Sequence, residues 1–312
     1  VCRGIHEKPH RVIGIENAED VACGSTFNAA RLKGGGIVTW GIGVVGELGR
    51  DVPPMKYPED PILAKEEDYR GPGYNVLPIA NQQLTPLPPR WADGITSRFV
   101  ESIACGGYHL LVVTSCGGCS TDGPGTRVFT TGLNNYGQLG HGDKDARKAL
   151  TRVEALDECN VRHIAGGVHH SVCLDGDGNV LSFGRGDSGQ LGITETSPKA
   201  GYCEDKPVHV SALPKDDPVM QISCGGNHNL AITKKGDVYT WGFGEQGALG
   251  HGKLGWEWAV DDDGKEEKIP VGKDEYLPKK LVLEDKIGGK KVRVYQADGG
   301  GQHSALICRM EE

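Results

Sequence analysis

Two glycine-centred signatures alternate along this chain, and the alternation constrains its fold more than any other feature. The first runs from an apolar residue through Gly-Gly to a histidine and an apolar stretch. It reads IACGGYHLLVV at 103–113, IAGGVHHSVCL at 164–174, ISCGGNHNLAI at 222–232 and ADGGGQHSALI at 297–307. Written as Gly-Gly-x-His, the recurrent pairs are Gly106 with His109, Gly166 with His169, Gly225 with His228 and Gly300 with His303, the histidines being spaced by 60, 59 and 75 residues. A degenerate copy, VACGSTFNAAR at 21–31, carries Phe27 at the histidine position. The second signature is a strand-like run ending in Gly, then a turn closing on Gly-x-Leu-Gly: IVTWGIGVVGELG at 37–49, VFTTGLNNYGQLG at 128–140, VLSFGRGDSGQLG at 180–192 and VYTWGFGEQGALG at 238–250. Self-similarity at this period marks a repeat architecture.

Each repeat holds short strand-like runs bounded by turn residues. In the third, VCL and VLSF are joined by Asp175-Gly176-Asp177-Gly178, and Asp-Gly between such runs is a strong hairpin signal because the turn needs positive φ. Further runs lead into each first signature (FVESI, VRHI, VMQI, VRVYQA), and a fourth strand falls near proline-marked segments such as 207–210 and 277–281. Glycine makes up 48 of the 312 residues, about twice the usual ~7%, and its fixed positions point to tight turns. Four-stranded units of this length are the blades of a β-propeller, in which radial repetition protects the sheet edges. The expected fold is therefore all-β: a single, partial propeller domain over 1–312, holding a half-repeat (roughly 1–33) and four further repeats. Residues 51–90 and 253–277 interrupt the period as long loops.

Composition narrows the function. Net charge is −8, which argues against a partner gripped chiefly through phosphates, since nucleic-acid binders carry a basic footprint. No run approaches the ~18 apolar residues of a membrane span. The chain starts at Val1 in mid-pattern and reads as a piece of a longer protein. Cys23, Cys105 and Cys224 share one repeat position, with Ala165 in the third copy, as small buried thiols of a reducing compartment do. Cys116-x-x-Cys119 has no second pair to complete a zinc site, so no metal is expected. No phosphate loop, Gly-x-Ser-x-Gly or His-Glu-x-x-His occurs, so neither a cofactor, nor a small-molecule substrate, nor covalent chemistry is implied. Trp40 and Trp241, just before the strand-ending Gly, fit blade core. A histidine recurring once per blade is most simply structural, its ring bonding the adjoining turn.

The alternation of Gly-Gly-x-His with Gly-Gln-Leu-Gly resembles the regulator of chromosome condensation repeat, whose family fold is a seven-bladed β-propeller. The pattern is closest to the founding branch, the nuclear guanine nucleotide exchange factor for the Ran GTPase. The doubled His and Gly-Arg of the third copy, Arg50 followed by a long insertion, and the ending after GGGQHSALI all resemble it. On that alignment the N-terminal blades are missing, and the four and a half repeats do not close a ring alone. The resemblance implies a nuclear exchange factor whose GTPase-engaging residues map onto Arg50, His169 and His303. The family's acidic residue at this surface falls on Thr26, and another histidine falls on Gly137. The family also docks on nucleosomes through arginines of the first insertion, but here that segment holds six acidic residues (Asp51, Glu59, Asp60, Glu66, Glu67, Asp68) against four basic ones. Any chromatin contact is therefore expected from the missing N-terminal part. The plant ultraviolet-B receptor shares the repeat but sets tryptophans beside the repeat histidines. The neighbours here, Tyr108, Val168, Asn227 and Gln302, argue against photoreception. The competing expectation is a non-catalytic propeller scaffold, such as a module of a larger ubiquitin ligase.

Overall fold

A computed structural model of the chain describes residues 12, 14–51, 82–94, 98–115, 125–244, 246–251, 255–260, 266–283 and 292–310. Residues 52–81 of the first insertion and the pair Cys116 and Cys119 lie outside the described residues. Strands β1 (Ala18–Cys23), β2 (Phe27–Leu32), β3 (Ile37–Ile42) and β4 (Gln82–Leu87) form one antiparallel sheet in that order. A second sheet holds β5 (Phe99–Cys105), β6 (His109–Ser115), β7 (Thr126–Gly132) and β8 (Arg147–Arg152). The third holds β9 (Val161–Gly166), β10 (His170–Asp175), β11 (Val180–Arg185) and β12 (Cys203–His209). The fourth joins β13 (Val219–Cys224), β14 (His228–Thr233) and β15 (Val238–Gly242) to a later outer strand. Between them comes a separate two-stranded ribbon, β16 (Gly255–Val260) with β17 (Glu266–Val271), after which β18 (Glu275–Lys280) completes the sheet. Strands β19 (Val292–Gly299) and β20 (Ser304–Met310) pair at the end.

This is the expected all-β propeller architecture, with two corrections. Each sheet runs from a first signature through the next second signature, so the segment read as a half-repeat is the start of a complete sheet, and the half is β19–β20. The two insertions are not wholly loops: 82–87 supplies the outer strand β4, and 253–277 holds the ribbon β16–β17. Pro207 and Pro278 sit on the outermost strands β12 and β18, where a missing N–H breaks no ladder. Among the described residues, no helix is long and apolar enough to cross a membrane.

The sheets stack face to face, with β2 on β5, β6 on β9, β10 on β13 and β14 on β19. The core therefore lies between sheets. Leu110 and Val112 of β6 pack with Phe27, Leu48 and Phe129 in one layer, while Leu111 and Val113, pointing the other way, pack with Ile164, Cys173 and Phe183 in the next. Both faces of the strand are buried, which is why β6 reads as an unbroken apolar run instead of an alternation. Trp241 is fully buried between the third and fourth sheets, as expected, whereas Trp40 is only half-buried. The terminal sheets differ. Val21 of β1 is 63% exposed and Ile307 of β20 is 62% exposed, because no described sheet covers their outer faces.

Candidate functional site

The second signature builds one standard turn. In Gly-x-Leu-Gly both glycines have positive φ, as at Gly137 (79°) and Gly140 (80°), and the second N–H donates to the first carbonyl at 3.0 Å. The leucine is buried in all four copies, and its carbonyl accepts from a hydroxyl on the preceding strand. The four bonds are Thr39 to Leu48 (2.8 Å), Thr130 to Leu139 (2.9 Å), Ser182 to Leu191 (2.7 Å) and Thr240 to Leu249 (2.8 Å). The residue after the turn adds a brace. His141 and His251 bond Thr130 and Thr240 through Nε2 at 3.0 and 2.8 Å, and Arg50 occupies the same position.

The first signature builds the junction between sheets. A Cβ added to Gly106, Gly225 or Gly300 would strike the ring of His109, His228 or His303, three residues on, so each glycine is the floor under a histidine. In the third sheet the pair is Gly167 and His170, not Gly166 and His169. Strand register agrees: Gly166 faces Ser171 as Cys105 faces Leu110 and Cys224 faces Asn229. Two residues of the Gly-Gly-x-His reading are thus corrected. Gly166, not Ala165, takes the cysteine place, and the repeat histidine is His170. The Gly-Gly-x-His spacing fits His169 alone, and strand pairing places the junction one residue later, at the second histidine.

Three of the junction histidines, His109, His170 and His228, are buried and reach across to the next sheet. His109 Nε2 lies 2.9 Å from Ser171 Oγ, His170 Nε2 lies 2.8 Å from Asn229 Oδ1, and His228 Nε2 lies 3.0 Å from Ser304 Oγ. The partner in turn donates to the x carbonyl of the Gly-x-Leu-Gly turn in the histidine's own sheet, at Gln138 (2.7 Å), Gln190 (2.7 Å) and Ala248 (2.8 Å). The degenerate copy changes both members together: Phe27 replaces the histidine, Leu110 stands where the partner would be, and the two share one apolar layer. Burial pushes the histidine pKa values down, to about 3 for His109 and about 4 for His170 and His228, so all three are neutral at pH 7.

The residue before each junction position is not fully buried: Thr26 and Gln302 are exposed, and Tyr108, His169 and Asn227 are half-buried. Successive Gly-Gly turns are laced by backbone bonds, Ser25 to Gly107 (3.0 Å), Gly107 to Gly167 (3.0 Å), Val168 to Gly226 (2.8 Å) and Gly226 to Gly300 (3.0 Å). Thr26, Tyr108, His169, Asn227 and Gln302 follow these turns and form an arc on one face. Four of their carbonyls accept at 2.9 Å from the residue after the strand-ending Gly, that is Ile42, Leu133, Arg185 and Phe243. That Gly is obligatory: at Gly184 φ is 104° and a Cβ would stand 2.6 Å from the His169 carbonyl. At the centre of the arc His169 stacks on Tyr108 (centroids 5.7 Å apart, 19° between planes) and leans on Tyr136 (5.1 Å, 46°). Arg185 lies over Tyr136 at 5.3 Å and grips Asp187 through two bonds of 2.7 and 2.9 Å.

Of the three residues mapped to a GTPase surface, only His169 lies on this arc with its side chain committed to no hydrogen bond. Arg50 is only 9% exposed, and its guanidinium donates to the carbonyls of Leu48 (3.3 Å), Leu87 (3.2 Å) and Thr39 (3.0 Å) and to Thr39 Oγ1. It ties β3, β4 and the turn together and is not presented outward, which corrects its reading as a contact residue. Arg50→Ala is expected to lower unfolding free energy by about 2–3 kcal/mol, since it orphans a buried cluster of acceptors. Arg50→His, the residue of the two sister turns, should recover most of this, as urea denaturation will report. His303 occupies the junction position of the last sheet and is exposed because no described sheet lies beyond it. Tyr108, Tyr136, Arg185, Asp187 and Gln302 were not singled out from sequence as contact residues. The column preceding the true junction histidine would have found Tyr108 and Gln302.

Radially stacked four-stranded sheets laced by junction histidines define a repeat-built β-propeller that presents one continuous face. Residues 3–306 match the RCC1-like domain family, and the chain belongs to that family. It is 29% identical over 233 residues to the ultraviolet-B receptor UVR8 of Arabidopsis thaliana, covering 75% of this chain and 43% of that protein. It is 26% identical to the Regulator of chromosome condensation of Drosophila melanogaster, covering 96% of this chain and 64% of that protein. Among solved structures, Prp20p of Saccharomyces cerevisiae, studied for its binding to Gsp1p and histones, superposes with a TM-score of 0.70 at 23% identity, covering 99% of this chain and 60% of that one. The chain thus spans about half the length of the curated relatives it matches.

Proposed function

We propose that this propeller belongs to a guanine nucleotide exchange factor for a Ran-like small GTPase, engaged through the face that carries His169, in a nuclear, chromatin-associated protein. The observation that carries the reading is the aromatic and polar arc centred on His169: Tyr and Arg dominate energetic hot spots of protein interfaces, and here they surround a half-buried histidine. Similarity to the Drosophila regulator along 96% of the chain supports it, as does a fold shared with a Gsp1p- and histone-binding protein. An exchange factor forms no covalent bond. It binds the nucleotide-free GTPase better than the loaded one, and a thousandfold loss of nucleotide affinity requires ~4 kcal/mol of that difference.

The decisive measurement is release of labelled GDP from Ran in the presence of the full-length protein. Micromolar protein should accelerate release, and His169→Ala should slow it by roughly tenfold or more at unchanged melting temperature. No acceleration by the unsubstituted protein would sink the exchange reading. Binding of the GTPase without acceleration would instead favour a scaffold. Thr26 motivates this second reading, because it places a neutral hydroxyl where the family's acidic residue stands.

A further inference from the structure

The environment of His169 specifies how it meets its partner. Its backbone is anchored by the Arg185 N–H at 2.9 Å. Its ring is flanked by Tyr108 and Tyr136, which restrict rotation about χ1 and χ2. Of its two nitrogens, Nδ1 is shut off from solvent and has no partner among the described residues. That leaves Nε2 as the nitrogen able to meet another molecule. A buried N–H without an acceptor is costly, so the proton belongs on Nε2 and the lone pair on Nδ1.

We propose that Tyr108, Tyr136 and the Arg185–Asp187 pair are positioning residues that hold His169 as a neutral hydrogen-bond donor, its Nε2–H aimed at a carbonyl or carboxylate of the partner. The inference rests on the reading that this face engages a GTPase, but the cradle can be tested without it. The titratable and charged groups around the ring are Tyr108 before β6, Tyr136 from the following turn, Arg185 at the end of β11 and Asp187 just beyond it, with the buried His109 of β6 and His170 of β10 behind. Burial pushes the His169 pKa down and the Arg185 guanidinium pushes it further, with Asp187 opposing. A cation would face Arg185 at close range, whereas a neutral donor does not. The two rings also remove rotamer freedom before binding, so less entropy is lost when the partner arrives.

The test pairs a titration with an exchange assay on the full-length protein. In the NMR titration of histidine Cε1–H signals, the His169 midpoint should lie below that of a free histidine, and Arg185→Met should move it upward. Should Arg185→Met fail to fold, Asp187→Asn, which leaves the guanidinium uncompensated, should move it further down. In the exchange assay, His169→Gln, whose side-chain amide donates from a similar reach, should keep activity within a few-fold, while His169→Lys loses roughly tenfold or more. In Arg185→Met the pH dependence of exchange should move upward together with the His169 midpoint. A wild-type midpoint at or above the free value overturns the cradle, as does an Arg185 variant that moves neither the midpoint nor the pH profile. If the wild-type protein accelerates no exchange, the functional reading falls, and the titration still decides the cradle.

Discussion

Replacing His170 with Ala is expected to cost about 3 kcal/mol of unfolding free energy, among the largest effects of any single substitution outside the core leucines. The ring is fully buried, and its removal leaves a cavity between the third and fourth sheets. It also strands Asn229, whose Oδ1 accepts from His170 and from the Cys224 thiol and whose Nδ2 holds the Gln190 carbonyl. The chain contains its own control, because Phe27 and Leu110 join the first two sheets without any such bond. Transplanting that apolar pair as His170→Phe with Asn229→Leu should recover most of the loss, while either change alone should not. Replacing both partners of a buried hydrogen bond is far milder than replacing one. A double-mutant cycle read by urea unfolding will measure the coupling. Strictly additive single changes would mean that the pairing of Phe27 with Leu110 is coincidental.

Acidification should loosen the same junctions. His109, His170 and His228 have folded pKa values of about 3, 4 and 4, and His141 is likewise held down to about 4 by burial. An unfolded histidine titrates near 6.5. Above that value both states are neutral and the histidines contribute no pH dependence. Below it the unfolded chain binds protons that the folded chain refuses, so stability falls from about pH 6.5 until the folded values are reached near pH 4. At pH 5 the loss is on the order of 1–2 kcal/mol per buried histidine. Glu47 opposes this trend, since burial raises its carboxyl pKa and protonation favours the folded state, but it is one group against four. Asp187, held below the ordinary carboxylate range by Arg185 against the pull of burial, adds to the loss only at lower pH. Urea midpoints should therefore drop between pH 7.5 and 5. The His170→Phe, Asn229→Leu protein should show a shallower drop, and an equal slope in both proteins would remove the junction histidines as its cause.

The repeat was legible because each signature is local chemistry. Gly-x-Leu-Gly needs two positive-φ residues and one buried leucine within four positions, and the Gly before it needs room beside a carbonyl. Such demands are written residue by residue and survive in every copy. The candidate site was less legible. His169 was singled out, but in the wrong frame: Gly166-Gly167-Val168-His169 satisfies the Gly-Gly-x-His pattern, while His170, which keeps only the Gly three residues before it, is the one that turns inward. Arg50 was assigned to the contact surface by family resemblance alone, and only the convergence of Thr39, Leu48 and Leu87 on its guanidinium revealed a brace.

The sequence by itself determined that this chain is a series of antiparallel sheets joined by tight glycine turns, because turn geometry and strand periodicity depend on neighbours a few positions away. Which histidine bridges two sheets, which one faces a partner, and what surrounds it were decided only by the tertiary structure. Tyr136, His169 and Arg185 are separated by 33 and 16 residues along the chain. They meet because a turn of one sheet is packed against the inner strand of the next, and that proximity is a property of stacking that no local pattern encodes.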